Sequence, residues 1–448
     1  MTQALDALTA QLLNAAKAAG ADSADAMATR GTSVSVDVRA GALEEAQREE
    51  GADIGLRVFV GKRTAIVSAS DLSQRTMTEM AERAVAMALE APENPYAGLA
   101  DPDEIASDWD AAALELFDPT PEPAPEALQQ DAAEAEAAAR AVDGTSQIDA
   151  ASAGYSAYDV HMAGSNGFSG GYRRSSRGLS CVAIAGSGTQ MERDYDSDSR
   201  VFQSDLRAPS DIGRTAAERT LLRRDPRKPP TGTYPVLFDE RVATSLIGHL
   251  LGAINGSAIT RGASFLRDCM DQQVLPDGLS LIEDPHRPRL GSSRPFDAEF
   301  LPTAKRTIVE NGYLRSWTLD LGTGRQLGLA STANAGRGLS SGPSPSSAGI
   351  ALTQGTQSRD DLIRDMGTGL LVTSMIGSTI NPNTGDYSRG AAGLWVENGE
   401  ITYAVNECTI AGNLRDMLLA IIPANDARTH LSRVVPSLLV PAMTIAGS

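Results

Sequence analysis

Tyr234–Leu266 reads YPVLFDERVATSLIGHLLGAINGSAITRGASFL. Its first five residues, Tyr234-Pro235-Val236-Leu237-Phe238, form a short apolar run that suits a buried strand. Asp239 follows, and its carboxylate can accept from the free N–H groups of a first helical turn. Val242, Leu246, Leu250 and Ile254 then recur at helical spacing, and Leu251 widens the apolar stripe. The stretch therefore predicts a strand–helix unit opening the second half of the chain. A helix-borne zinc hydrolase site needs two imidazoles on adjacent turns and a carboxylate beside the first. This helix has one imidazole, His249, between Gly248 and Leu250, so it reads as a partly buried helix histidine rather than a ligand.

The chain has 448 residues, enough for two or three domains with real cores. Its 57 acidic and 39 basic residues leave a net charge of −18, with no basic block. Direct nucleic-acid binding is disfavoured, because phosphate affinity rests on clustered Lys and Arg. Cys181, Cys269 and Cys408 are far apart and odd in number, which fits a reducing compartment better than a disulfide framework. Leu5, Leu8, Leu12 and Ala16 share a face of an N-terminal amphipathic helix that Asp6 keeps from being a signal peptide. No apolar run is long enough to span a membrane, and a cytoplasmic location is expected.

Val34, Val36 and Val38 alternate with polar residues, as do Ile54, Leu56, Val58 and Val60. With turns at Gly41, Gly51 and Gly61 they predict a meander through Val67. Asp71 is placed to cap a helix from Leu72 to about Leu89. Residues 92–125 are Pro- and acid-rich and read as surface loop. An Ala/Glu-rich helix to about Val142, a second set of strands over 146–203 and a helix over Ser210–Leu222 follow. Asp194, Asp196 and Asp198 resemble part of a calcium loop, but Ser199 stands where the sharp bend needs Gly, so a solvated strand edge is the expectation. The grouped strands and helices predict an α+β chain, with a boundary at about 228–232. Asn311-Gly312 and Asn398-Gly399 tolerate the positive φ of tight hairpin turns. The Gly/Ser/Thr-rich segment from Leu321 to Gly349 reads as a loop or a cleft wall.

Other motifs fade on inspection. Gly338-Leu339-Ser340-Ser341-Gly342 matches GxSxG, but Pro343 and Pro345 deny the helix a nucleophile elbow requires. His161, His286 and His430 are widely separated. Asp297 and Glu299 would share a face if they lay on a strand, giving a paired-carboxylate candidate, for which a salt-bridged structural role is the commoner explanation.

Taken together, Gly55-Leu56-Arg57-Val58, Tyr234-Pro235-Val236, Asn255-Gly256, Pro295-Phe296-Asp297-x-Glu299, Asn381–Ser388 (NPNTGDYS), Glu397-Asn398-Gly399-Glu400, Ile410–Leu414 and Ala446-Gly447 resemble the TldD/PmbA family, more closely its PmbA (TldE) branch. The resemblance covers nearly the whole chain; one departure is Phe300, where the family usually has Gly. The fold expected is α+β: an N-terminal domain (1–230) of antiparallel sheet with flanking helices, and a C-terminal β-rich domain (231–448) of barrel-like antiparallel sheets with a few helices. The TldD branch carries a HExxxH helix and a later Cys-bearing glycine motif. The first would fall on Ile247–Gly252, here IGHLLG, and the second near Arg433–Pro441, which has no Cys.

The resemblance thus implies the non-metal subunit of a heterodimeric cytoplasmic metallopeptidase that trims unfolded peptides and small proteins, including peptide-antibiotic precursors and antitoxins. It implies no catalytic or metal residue and no cofactor in this chain, with zinc expected in a TldD-type partner. Extended peptides are the expected substrates, held by strand addition to a sheet edge. Asn381, Thr384, Gly385, Asp386, Tyr387 and Ser388, with Asn334, are the candidate cleft or interface residues. A stand-alone homodimeric binding protein, of the DNA gyrase modulator type, and an independent Ser or Cys hydrolase are the alternatives.

Overall fold

The computed structural model describes residues 4–447. In chain order the first half comprises α1 (Leu5–Ala18), β1 (Ser23–Arg39), β2 (Ala42–Val60), β3 (Arg63–Ala69), α2 (Gln74–Glu90), α3 (Pro125–Arg140), β4 (Thr145–Gly164), β5 (Ser169–Ala185), β6 (Glu192–Arg200) and α4 (Pro209–Leu221). The six strands make one sheet in the order β3-β2-β1-β4-β5-β6, every pair antiparallel. Strand periodicity decides its two faces. Ala24, Ala26 and Ala28 of β1 pack under α1 and α2, and Val34, Val36 and Val38 of the same strand pack under α3 and α4. All six are even-numbered, so the four helices cover one face. The odd positions, Asp25 among them, look the other way, toward the second half.

That half comprises β7 (Gly232–Phe238), α5 (Glu240–Ala253), α6 (Gly256–Thr260), β8 (Leu281–Glu283), β9 (Arg306–Glu310), β10 (Tyr313–Leu314), α7 (Leu321–Leu327), β11 (Ala335–Gly336), β12 (Ser344–Pro345), β13 (Ile350–Leu352), α8 (Arg359–Met366), β14 (Gly369–Ile380), β15 (Asp386–Glu397), β16 (Glu400–Asn413), α9 (Leu414–Ala420), β17 (Ile422–Pro423), β18 (Arg433–Val434) and β19 (Leu438–Ala446). Strands β16-β15-β14-β7-β19 form a sheet that closes on itself through the β16–β19 pairing, giving a five-stranded barrel. Only β7 and β14 run parallel in it, because α8 and the segments before it carry the chain back between them. A second sheet, β10-β9-β8-β13-β18, flanks the barrel.

The α+β reading holds, as do the strand–helix unit and its cap: Asp239 accepts from the Arg241 N–H at the head of α5, a contact worth about 1 kcal/mol. Both Asn-Gly pairs sit in hairpin turns with both residues at positive φ.

Four local expectations are corrected. Gly51 is not a turn, because β2 runs through it, paired with Gly31. The cap of α2 is Ser73, which accepts from the Thr76 N–H, while Asp71 braces Ser73 and Thr76 from outside the helix. Residues 92–125 are not all surface: Ala100, Ala106, Leu114 and Leu116 are buried, and Trp109 meets the Phe296 ring edge-on at 4.9 Å. Asp194, Asp196 and Asp198 are not solvated. They are buried on the α4 side of β6 and taken up by arginines: Arg241 and Arg223 on Asp194 and Arg207 and Arg219 on Asp196 arrive from beyond the strand, and Arg200, at the end of β6 itself, pairs with Asp198.

No described helix is long and apolar enough to cross a membrane.

Candidate functional site

Two places carry the polar chemistry of this fold. The first is α5 and the barrel strands beside it. Ile247 is wholly buried in the barrel core. Gly248 faces outward, and the Nη1 of Arg433, at the start of β18, lies 3.3 Å from where its Cβ would stand. At Gly252 the same construction meets nothing within 4 Å. His249 meets the ring of Tyr387 edge-on at 5.8 Å, and its Nε2 is buried with no hydrogen-bond partner among the described residues. Burial, then the nearby Arg389 charge, pull its pKa below the ordinary imidazole value, so it stays neutral. The segments the sequence singled out, 247–252 and 433–441, do come together. At their junction stand an aliphatic side chain, two glycines and a guanidinium. His249 is the lone imidazole there, no carboxylate or thiol joins it among the described residues, and the Arg433 guanidinium lies beside it on Gly248, so these residues do not fit zinc.

The loop between β14 and β15 lies at the rim. The Asn381 carboxamide oxygen accepts from the Asn383 N–H, and Thr384 Oγ1 donates to Asp386. Asn413 Nδ2 donates to Thr384 O and to Asp386 Oδ1, fastening the loop to the end of β16. Gly385 has φ +81°, with the Phe265 ring and the Asn413 amide oxygen 3.3 Å from where a Cβ would be. Tyr387 is buried, its hydroxyl donating to Met375 Sδ, and burial pushes its pKa up to about 12. Ser388 is half-buried opposite Thr379 and Ala411. Asn381, Thr384 and Asp386 are exposed. Asn334 bonds within a different set: it is buried, donates to Glu283 Oε1 at 2.8 Å and accepts from Thr332.

The second place lies between the halves. Asp25 and Arg57 are partners in the β1–β2 register, and Arg57 Nε donates to Asp25 Oδ2 at 2.7 Å. Arg337, from the segment between β11 and β12, reaches in to the other Asp25 oxygen. Asp25 is fully buried. Burial alone would raise its pKa, but the Arg337 and Arg57 guanidiniums outweigh it and hold the carboxyl below the ordinary value. Arg57 also faces Glu299 at 4.0 Å.

Asp297 and Glu299 lie in a turn, not on a strand. Asp297 Oδ1 accepts from the Glu299 and Leu301 N–H groups and Oδ2 from Ala335. Phe300 takes φ +74° in that turn, where glycine is the easy residue, and stacks on Phe168 at 4.5 Å. Burial pushes the Glu299 carboxyl up to about 8.

The remaining nucleophile candidates are structural. All three cysteines are buried, with burial raising Cys181 to about 12 and Cys408 to about 11, so neither is a thiolate at neutral pH. His161 bonds Thr9, His286 bonds Thr303 and His430 faces Asp198, so no two of them meet. Ser340 lies in a helix-free segment, as Pro343 and Pro345 required. The sequence reading missed Arg433, Asp25 and Arg337. No local signal marks an arginine that pairs with a carboxylate 312 positions away.

A five-stranded barrel, joined through buried ion pairs to a helix-covered antiparallel sheet, is the frame that carries both places. Comparison with known proteins supplies the family. The domains described as PmbA/TldA metallopeptidase domain 1, central domain and C-terminal domain match residues 24–88, 118–224 and 231–447. The chain is 39% identical over 432 residues to Metalloprotease PmbA of Escherichia coli O157:H7, covering 95% of this chain and 92% of that one. It is 37% identical over 432 residues to the Metalloprotease PmbA homolog of Haemophilus influenzae, with the same coverage of each chain. It therefore belongs to the PmbA/TldD family, on the PmbA branch. The fold matches that of a Bacteroides thetaiotaomicron protein described as a modulator of DNA gyrase (TM-score 0.90, 24% identity, 99% and 98% of the two chains). It also matches TldE from Thermococcus kodakarensis (TM-score 0.86, 20% identity, 98% and 100%).

Proposed function

We propose that this chain is the non-metal subunit of a heterodimeric cytoplasmic peptidase, paired with a TldD-type subunit that holds zinc and acts on unfolded peptides. The observation that carries the reading is the placement of Arg433 over Gly248, beside the buried Ile247. Packing and a guanidinium occupy the place where metal ligands would be needed, so hydrolytic chemistry must come from elsewhere. The curated relatives named metalloprotease support a role in proteolysis. In this reading the exposed side of the 381–388 loop, with Asn381, Thr384 and Asp386, borders the partner or its peptide. Its backbone is already braced by Asn413, so it presents a fixed edge at little ordering cost.

The test is metal analysis together with casein or peptide hydrolysis, on this chain alone and mixed with the TldD-type protein of the same cell. The expected result is a metal-free, inactive chain whose mixture is active and chelator-sensitive. Stoichiometric zinc and peptide cleavage by the chain alone would overturn the reading. A mixture that neither associates nor gains activity would replace it with a stand-alone homodimeric binding protein of the gyrase-modulator kind.

A further inference from the structure

A cleft of about 330 Å³ opens between the two halves, at the small end of the roughly 300–1,000 Å³ typical of small-molecule sites. Phe59 and Ile66 from the first half and Pro343 from the second supply apolar wall. A further wall, around Tyr96, is built in advance. The Arg325 guanidinium donates to the carbonyls of Tyr96, Gly98 and Leu99, and Lys62 Nζ donates to that of Ala97.

Most polar groups lining the cleft are already used. Arg57 is bound to Asp25, and Asp320 caps α7 by accepting from Thr323. Two ionisable groups are left. Glu299 is 5% exposed; its Oε2 accepts from the Leu321 N–H, but the nearest cation to its Oε1 is Arg57 Nη1 at 4.0 Å, beyond hydrogen-bond length, and no described residue donates to it. A carboxyl oxygen with a vacant acceptor position on a cavity wall asks for a donor, and an ammonium placed there would favour the ionised form that burial opposes. At the rim, Arg261 is exposed and forms no ion pair or hydrogen bond among the described residues. An acid in depth and a free cation at the mouth are complementary to a small molecule with an amine at one end and a carboxylate at the other.

We propose that this cleft binds short unblocked peptides as zwitterions, the α-ammonium donating to Glu299 and the carboxylate pairing with Arg261. Dipeptides match its size and chemistry, and they are what a peptidase releases. The site belongs to this chain alone and stands whether or not a TldD-type partner is found.

The test is calorimetric titration of the full-length chain with Ala-Ala, N-acetyl-Ala-Ala and Ala-Ala amide. Ala-Ala should bind one-to-one, and blocking its amine should weaken binding by about tenfold or more. Glu299→Gln should weaken Ala-Ala likewise. Arg261→Ala, on the surface and harmless to folding, should weaken Ala-Ala while leaving the amide unchanged. Equal binding of the acetylated peptide would overturn the proposal in favour of an anion site. Absence of binding at millimolar ligand, or wild-type affinity in Arg261→Ala, would overturn it outright.

Discussion

Asp25→Asn is the most informative single change in this molecule. The substitution keeps the shape of the side chain and removes its charge. Asp25 is fully buried, and the side chains of Arg57 and Arg337 are only 8% and 4% exposed. Without the carboxylate, two guanidiniums stay buried, with only Glu299 near one of them. Removing one partner of a buried ion pair costs about 3–5 kcal/mol, because the partner left behind is an uncompensated buried charge. That is a large share of a domain stability of about 5–15 kcal/mol.

Equilibrium urea unfolding of the two proteins measures it. A loss under about 1 kcal/mol, the value of an exposed pair, would refute the claim that the cluster is a desolvated unit. The triple variant Asp25→Leu/Arg57→Met/Arg337→Met separates two explanations: if the cost is the orphaned charge, the triple variant should recover most of the stability. The pH dependence has a definite sign. Because the folded Asp25 pKa is depressed, its contribution is fully present above the unfolded value of about 3.9 and is lost as pH falls through the folded value. Asp25→Asn should therefore flatten the acid limb of the stability curve.

Two further outcomes follow from the turn at 297–301. Phe300 gains full burial but takes positive φ; losing a buried Phe costs about 3–5 kcal/mol, against about 1–2 kcal/mol of backbone strain. Burial wins, so urea midpoints should fall in the order wild type, Phe300→Gly, Phe300→Ala, and a Phe300→Gly protein more stable than wild type would reverse that weighing. Glu299 carries the opposite sign to Asp25. Burial raises its carboxyl to about 8, with Arg57 partly offsetting and Asp297 and Asp320 adding to the rise. Its ionisation therefore burdens the fold progressively between the unfolded value of about 4.3 and the folded one, by up to about 1.4 kcal/mol per pH unit. The stability of Glu299→Gln relative to wild type should grow from pH 5 to about 8 and then level off; a gap independent of pH would mean that the carboxyl is ionised throughout.

What was legible in the sequence was local. The Asp239 cap, the Asn-Gly turns and the alternation of β1 depend on residues a few positions apart, and each is as read. What was not legible depends on residues far apart in the chain. Asp194, Asp196 and Asp198 look like a solvated edge because alternation says only that they share a face. It does not say that Arg207, Arg219, Arg223 and Arg241 will cover that face. Asp297 and Glu299 failed for another reason. Their spacing suits a strand, but the Asp297 side chain accepts from two backbone N–H groups of its own segment and folds it into a turn. The candidate loop at 381–388 was visible as turn chemistry, whereas its anchor, Asn413, lies on another strand.

The α5 helix owes its place to packing. A metal-bearing helix is held partly by its ligands; this one is held by packing. Ala243, Leu246, Ile247, Leu250 and Leu251 are buried in the barrel core, and Asp239 fixes the first turn. Ile247 adds an aliphatic side chain to that core at the position the resemblance assigns to a metal-binding histidine, so its reversal to His would put a polar ring into a packed interior. Gly248 is small enough for Arg433 to lie across it, and a Glu there would meet a guanidinium before it met a metal. Recovering a zinc site would thus require changing Ile247, Gly248 and Gly252, supplying a cysteine and removing Arg433. Packed this way, α5 is a structural member that fixes the barrel beside the 381–388 rim, with its one buried polar atom unpartnered among the described residues, His249 Nε2, turned inward.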